Sequence, residues 1–161
     1  MSETIQPEPT IIVTYKKQYE EAFDRLNREW LENYGLYEEE DGKYLEHPKE
    51  MIIDKGGEIF FALKNGEVVG TCAVIPYKAD IVELAKLAVD NKVQCQGIGR
   101  RLTEIAIDWA RDRNCQKVIL VSSTKLKQAL HLYENLGFSY YSLPADICYE
   151  TADIYMELSF S

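Results

Sequence analysis

The 161-residue chain is short of positive charge, of histidine and of long apolar runs. Eighteen Lys and Arg stand against 27 Asp and Glu, a net charge of −9. That balance argues against a general nucleic-acid binder, whose phosphate contacts need a basic face. Only two histidines occur, His47 and His131, and the four cysteines (Cys72, Cys95, Cys115 and Cys148) include no C-x-x-C pair. Metal sites announce themselves by closely spaced ligands, so no metal is expected. Scattered thiols fit a reducing cytoplasm better than a disulfide framework. The longest unbroken apolar run is Ile59–Leu63, far below the roughly 20 residues of a membrane span. Residues 1–9 carry neither the basic flank nor the apolar stretch of a secretory signal, and with two prolines they read as frayed.

What remains is ordinary globular material, 46% hydrophobic and 28% charged, which excludes a disordered or collagen-like chain. The length suits a single core, so residues 1–161 read as one domain. Residues 10–15 are β-branched and short, a strand. Tyr19, Ala22, Phe23, Leu26, Trp30 and Tyr34 make one helical stripe. The acidic, Gly-containing stretch 36–46 reads as loop, and His47-Pro48 as the start of a short helix ending before Gly56-Gly57. Two apolar runs, 58–63 and 68–75, flank Asn65-Gly66, the strongest short-range hairpin signal. Residues 81–89 give a further strand, antiparallel to the one before it. A helix from Ile98 to about Arg113 follows, then a fully apolar strand at 118–121 and a helical stripe from Leu126 to Leu136, stopped by Gly137. Two strands, 138–141 and 152–160, finish the chain.

The segment carrying chemistry runs from Glu83 to Leu102. A strand ends, closely spaced glycines follow, and a helix begins. Helix N-termini present unpaired N–H groups and partial positive charge to anions. Gly97 and Gly99 let backbone approach closely, and Arg100 and Arg101 add charge where acidic residues are the usual choice. The P-loop pattern is absent, and the third glycine of a dinucleotide fingerprint is replaced by Leu102. The pattern present is Gln94-x-x-Gly97-x-Gly99 after Leu87-Ala88-Val89. About 30 residues on comes Ala129-x-x-x-Tyr133-x-x-x-Gly137-Phe138.

In this order and spacing the two motifs resemble the GNAT superfamily of acetyl-CoA-dependent N-acetyltransferases, a likeness covering most of the chain. It implies a mixed α/β (α+β) domain whose twisted, mostly antiparallel sheet has about seven strands and a splay, flanked by about four helices. It implies that Leu87, Ala88 and Val89 pair with the pantetheine arm of acetyl-CoA, and that Gln94, Cys95, Gln96, Gly97, Ile98, Gly99, Arg100 and Arg101 surround the pyrophosphate. Tyr133 matches the general acid that protonates the leaving thiolate, although its spacing also suits a core tyrosine. Glu83 matches a strand glutamate that serves some members as base, although a solvated strand-start glutamate would look the same. Strict alternation would set Glu83, Ala85, Leu87 and Val89 on one face. The Val89 N–H would polarise the thioester carbonyl, with direct attack by the amine and no acyl-enzyme.

Many members carry Asn where this chain has Leu126; Ser122, Ser123 or Thr124 stand near to replace it. The acceptor amine, cationic in one reading, is expected against Trp30, Tyr34 and Tyr37 with the acidic residues 38–41, and Tyr140–Tyr149 opposite. A homodimer is compatible with this reading. The rival is a non-catalytic acyl-CoA-binding or regulatory module of the same fold. Charge is unevenly spread: residues 86–127 carry +5, within an otherwise acidic chain. A basic band thus coincides with the glycine loop.

Overall fold

The computed structural model describes residues 9–94, 96–147 and 149–160. Apart from Pro9, the segment expected to fray lies outside these, as does Cys95 of the glycine loop. Seven strands form one sheet: β1 (Ile11–Thr14), β2 (Glu58–Lys64), β3 (Glu67–Lys78), β4 (Ile81–Val89), β5 (Lys117–Ser122), β6 (Ser139–Tyr141) and β7 (Ile154–Ser159). Their order across the sheet is β1-β2-β3-β4-β5-β7-β6. Every neighbouring pair is antiparallel except β4 with β5. Four helices flank it: α1 (Glu20–Asn33), α2 (Glu39–Glu46), α3 (Ile98–Asp112) and α4 (Lys127–Asn135). Among the described residues no helix is long and apolar enough to cross a membrane.

Local chemistry explains the connections. Asn65 and Gly66 both take positive φ, 53° and 78°, as a two-residue hairpin turn requires. Gly137 closes α4 at φ 101°, and the Phe138 N–H returns to the Tyr133 carbonyl at 3.0 Å.

Stretch 36–46, expected as loop, instead contains α2. Acidic residues open its first turn, where the helix dipole favours them, and the Glu38 N–H donates to Asp41 Oδ2 at 2.9 Å. Leu45 anchors it in the core. A Cβ on Gly42 would come within 2.7 Å of the Tyr37 hydroxyl, so a larger residue there would have to displace that side chain. The helix expected after His47-Pro48 amounts to one wide turn, Lys49–Ile53.

The sheet is covered on both faces. On one, α3 and α4 pack Leu102, Ala106, Ala110 and Tyr133 against Val82, Leu84, Val118, Leu120 and Met156. On the other, Phe23, Leu45 and Ile52 pack against Ile59, Phe61, Ala73 and Ile75. Each large side chain buried here contributes about 1.5–3 kcal/mol.

Two irregularities place the site. In β4, Ala85 lies opposite Ala73 and Ala88 opposite Thr71, so Lys86 and Leu87 together face Cys72. This is a β-bulge, and Lys86 takes the left-handed φ of 56°. The extra residue overturns the expected alternation. Val82 and Leu84 face α3, but beyond the bulge Leu87 and Val89 face it too, while Glu83 and Ala85 face the other way. The second irregularity is the splay. β4 and β5 pair only at Ile81–Lys117, Val82–Val118 and Glu83–Ile119, and then part although both strands continue.

Candidate active site

The parting of β4 and β5 opens a cleft that is continuous with solvent. Its floor is Glu83–Leu87 of β4 and its far wall Val121–Ser123 and Leu126; Trp30 and Leu31 of α1 and Asp41 and Tyr44 of α2 close one side. Tyr133 of α4 and Tyr149 also line it, so Glu83 and Tyr133 meet in one space.

Glu83 makes no hydrogen bond or ion pair among the described residues. Burial pushes its carboxyl up to about 7; the Lys86 ammonium opposes this and the Asp41 charge adds to it. An uncompensated carboxylate in a cleft holds its proton near neutrality. The Tyr133 ring is 5.8 Å from Phe138, and its hydroxyl likewise lacks a hydrogen-bond partner among the described residues. Burial raises the phenol well above its ordinary value, with a smaller push from Cys72. Both unpartnered polar groups therefore border space where a substrate can sit.

Lys86 is the feature the sequence did not disclose. The bulge turns its side chain into the cleft, where it is 8% exposed and ion-paired with Asp41, 5% exposed. Its ammonium lies 5.4 Å from the ring centres of both Tyr44 and Tyr149. Burial opposes ionisation of Glu38, yet the Thr151 hydroxyl and the N–H groups of Thr151 and Glu150 hold its carboxyl below the ordinary range. These bonds tie the start of α2 to the 149–151 segment across the cleft mouth. A lysine in an otherwise apolar strand segment was the available signal, but its partner lies 45 residues away.

A second groove adjoins the cleft, lined by Trp30, Leu87, Val89, Gln94, Gly97–Gly99 and Ala129. The Asp90 N–H donates to the Val69 carbonyl of β3 at 2.8 Å. Successive peptide groups alternate, so the Val89 N–H points to the edge that β5 has left. Gly97 caps α3 at φ 77°, which suits glycine, and no acidic side chain opens the helix. A Cβ on Gly99 would meet only Val89 at 3.7 Å and Leu132 at 3.9 Å. The protein itself would accept alanine there, so the cradle is free for a ligand's approach. An exposed strand edge, a free helix start and a groove between them fit an extended, phosphate-bearing molecule such as coenzyme A.

The other expected residues are scattered more widely. Ala88, in β4 opposite Thr71, is buried, the Gln94 amide donates to Asn91 at 3.0 Å, and Gln96 accepts from Lys64 at 3.1 Å. Arg100 pairs with Glu104 at 3.0 Å, and Arg101 donates to the Thr10 carbonyl at 2.6 Å. Trp30 lines both cleft and groove. Tyr34 packs against Trp30, ring centres 5.2 Å apart and planes tilted by 52°, and lines an outer pocket beside Lys125. Tyr37 stays away from all three, accepting from Arg28 at 2.9 Å under its guanidinium. Ser123 and Leu126 line the cleft, and Thr124 is held by Asp153.

The family model described as the acetyltransferase (GNAT) family matches residues 19–138. The chain belongs to this family. N-acetyltransferase 8 of Rattus norvegicus is 30% identical over 95 residues, 56% of this chain and 43% of the relative. The chain thus spans about two fifths of the length of the curated rat relatives that it matches. A GNAT-family acetyltransferase structure from Staphylococcus aureus aligns with TM-score 0.86 at 22% identity, covering 94% of this chain and 99% of the other. The PaiA N-acetyltransferase of Thermoplasma acidophilum, solved with coenzyme A, aligns with TM-score 0.74 at 16% identity, covering 94% and 99%. These last two likenesses are of fold. In this GNAT chain the groove beside Gly97 and the cleft holding Glu83 and Tyr133 are continuous through Trp30 and Leu87, which line both.

Proposed function

We propose that this GNAT chain transfers the acetyl group of acetyl-CoA to a primary amine by direct attack. The observation that carries the reading is the meeting of Glu83 and Tyr133, neither with a hydrogen-bond partner among the described residues, in the space where β4 and β5 part.

The main-chain edge of Leu87 and Val89 holds the pantetheine amide groups like an added strand, and the N–H groups opening α3 hold the pyrophosphate. Gln94, Gln96, Gly97, Ile98 and Gly99, with Cys95 outside the described residues, make up that loop. Arg100 and Arg101 contribute field rather than contacts, since their side chains are engaged elsewhere. The acetyl carbonyl lies within reach of the Val89 N–H, a donor aimed at developing negative charge.

The amine arrives charged and gives a proton to Glu83, whose raised pKa keeps it a usable base near neutral pH. Nitrogen then attacks the carbonyl carbon, the carbon–sulfur bond breaks, the sulfur takes a proton from the Tyr133 hydroxyl, and the proton that nitrogen sheds on becoming an amide restores the phenol. The products are the N-acetyl amine and CoA. Burial raises the Tyr133 phenol, but the same apolar surroundings raise a thiol seated beside it, so the two acids shift together. No acyl-enzyme is required. Cys72 is fully buried, and desolvation pushes its thiol far from ionisation.

The test is acetyl transfer to a panel of primary amines by wild type, Glu83→Gln and Tyr133→Phe, with CoA affinity measured alongside. Turnover in wild type and its loss in both variants, with CoA affinity retained, supports the reading. CoA binding without turnover on any amine leaves the non-catalytic acyl-CoA module instead.

A further inference from the structure

The charges inside the cleft say more about the acceptor than the family does. Lys86 is the only Lys or Arg among the described residues lining the inner cleft, and Asp41 already neutralises it. The bulge and the two flanking tyrosine rings fix it there. In the ionised form that accepts the amine's proton, Glu83 adds a second carboxylate to the one on Asp41, so the cleft that the ammonium enters is net negative. The remaining lining is apolar or neutral: Leu31, Leu36, Ile75 and Leu126, with Ser122 and Ser123. Lys125 lines only the outer pocket beside Tyr34, beyond Trp30.

We infer that the acceptor is a primary amine on an apolar or aromatic body with no carboxylate on the amine-bearing carbon, and that the Lys86–Asp41 pair sets this selectivity. The inference rests on the acetyl-transfer reading and deepens it. A carboxylate one carbon from the nitrogen would enter beside Glu83 and Asp41 and find no unpaired cation. Like charges forced together without a partner reject a ligand that neutral contacts would accept. A carboxylate several bonds away could still reach Lys125, so the exclusion concerns the amine-bearing carbon alone. Lys86 acts as a specificity determinant: Asp41 holds its buried ammonium in an ion pair, which leaves it unavailable to pair with an incoming carboxylate.

The experiment compares three matched sets with acetyl-CoA: phenethylamine, phenylalanine and its methyl ester; tyramine, tyrosine and its ester; isopentylamine, leucine and its ester. Amines and esters should exceed the free acids at least tenfold in kcat/KM, because the ester keeps the bulk and loses the charge. Asp41→Asn releases the Lys86 ammonium and should narrow the amine-to-acid ratio at least fivefold, a ratio that a general loss of stability would not move. Free acids equal to the amines would overturn the selectivity and leave acetyl transfer standing. Esters as slow as the acids would show that bulk decides, and would overturn it too. Product from none of the nine compounds overturns the selectivity and the acetyl-transfer reading together.

Discussion

Replacing Glu83 by Gln should make the protein more stable at alkaline pH and far less active. A carboxyl whose pKa is raised on folding holds its proton more tightly in the native state. Its contribution is fully present below the unfolded value and is lost as pH rises through the folded value. Glu83 goes from an ordinary 4.5 to about 7, because burial outweighs the help it receives from Lys86. Between about pH 5 and about pH 8, linkage over that interval withdraws about 2–3 kcal/mol from the wild type. Glutamine fills the same volume without a charge and escapes that loss.

The assay is urea unfolding of both proteins at the two pH values, read as a difference of differences so that the other titrating groups cancel. The variant should gain about 2–3 kcal/mol over wild type on going from the lower to the higher pH. In parallel, wild-type kcat/KM should rise with pH along a limb centred near 7, and the variant should lose that limb with a 10²–10⁴-fold drop, the usual worth of a positioned base. A stability difference that does not change with pH would refute the desolvation of Glu83, whatever the kinetics show. A pH limb that survives in Glu83→Gln would assign it to another group or to the amine itself.

Tyr133→Phe should lower kcat by about 10²-fold or more while leaving CoA affinity unchanged by calorimetry, since the hydroxyl borders the cleft and bonds to no group among the described residues. Gly97→Ala, at φ 77°, should cost about 1–2 kcal/mol in urea unfolding through left-handed strain. Gly99→Val should leave stability nearly intact but weaken CoA binding at least tenfold, because its side chain fills the groove beside Val89 and Leu132. Lys86→Met should destabilise by about 3–5 kcal/mol, as breaking a buried pair does. It should also move the kcat/KM limb upward, because the ammonium that favours the Glu83 carboxylate is gone.

The legible parts of the molecule are those whose cause is local. Asn65-Gly66 dictates its own turn, the apolar stripes of α1 and α3 dictate their buried faces, and Gly137 ends α4 by its own backbone freedom. Helix α2 was hidden because its composition is that of a solvated loop. What holds it is Leu45 beneath and the tie from Glu38 to residues 150 and 151, 112 and 113 positions away. The bulge was hidden for a different reason. Residues 81–89 fit either an unbroken alternation or one with a slip, and only packing against α3 chooses. Of the chemistry, the glycine loop was readable from backbone physics. Tyr133 and Glu83 drew their roles from resemblance, because a tyrosine on a helical stripe and a glutamate near a strand start have bland explanations too. Lys86, Asp41 and Tyr149 form a cluster that no spacing rule could assemble.

Two residues of β4, Glu83 and Lys86, carry local costs that a regular apolar strand would not. Glu83 is a carboxylate without a partner among the described residues, Lys86 is a side-chain-bearing residue in left-handed backbone, and its ammonium is buried in a pair. Left-handed backbone alone costs about 1–2 kcal/mol. Elsewhere in the sheet, β2 and β3 keep their hydrophobic faces to the core. A fold selected for stability alone would carry apolar residues at 83 and 86 and a regular ladder between them. A regular ladder would keep the alternation and send Leu87 and Val89 to the face opposite α3. The slip at Lys86 is what turns both toward the groove beside Gly97 while Glu83 and Lys86 line the cleft. One inserted residue therefore serves the cofactor side and the acceptor side together. That is why neither the glutamate nor the lysine can be regularised without disturbing the other.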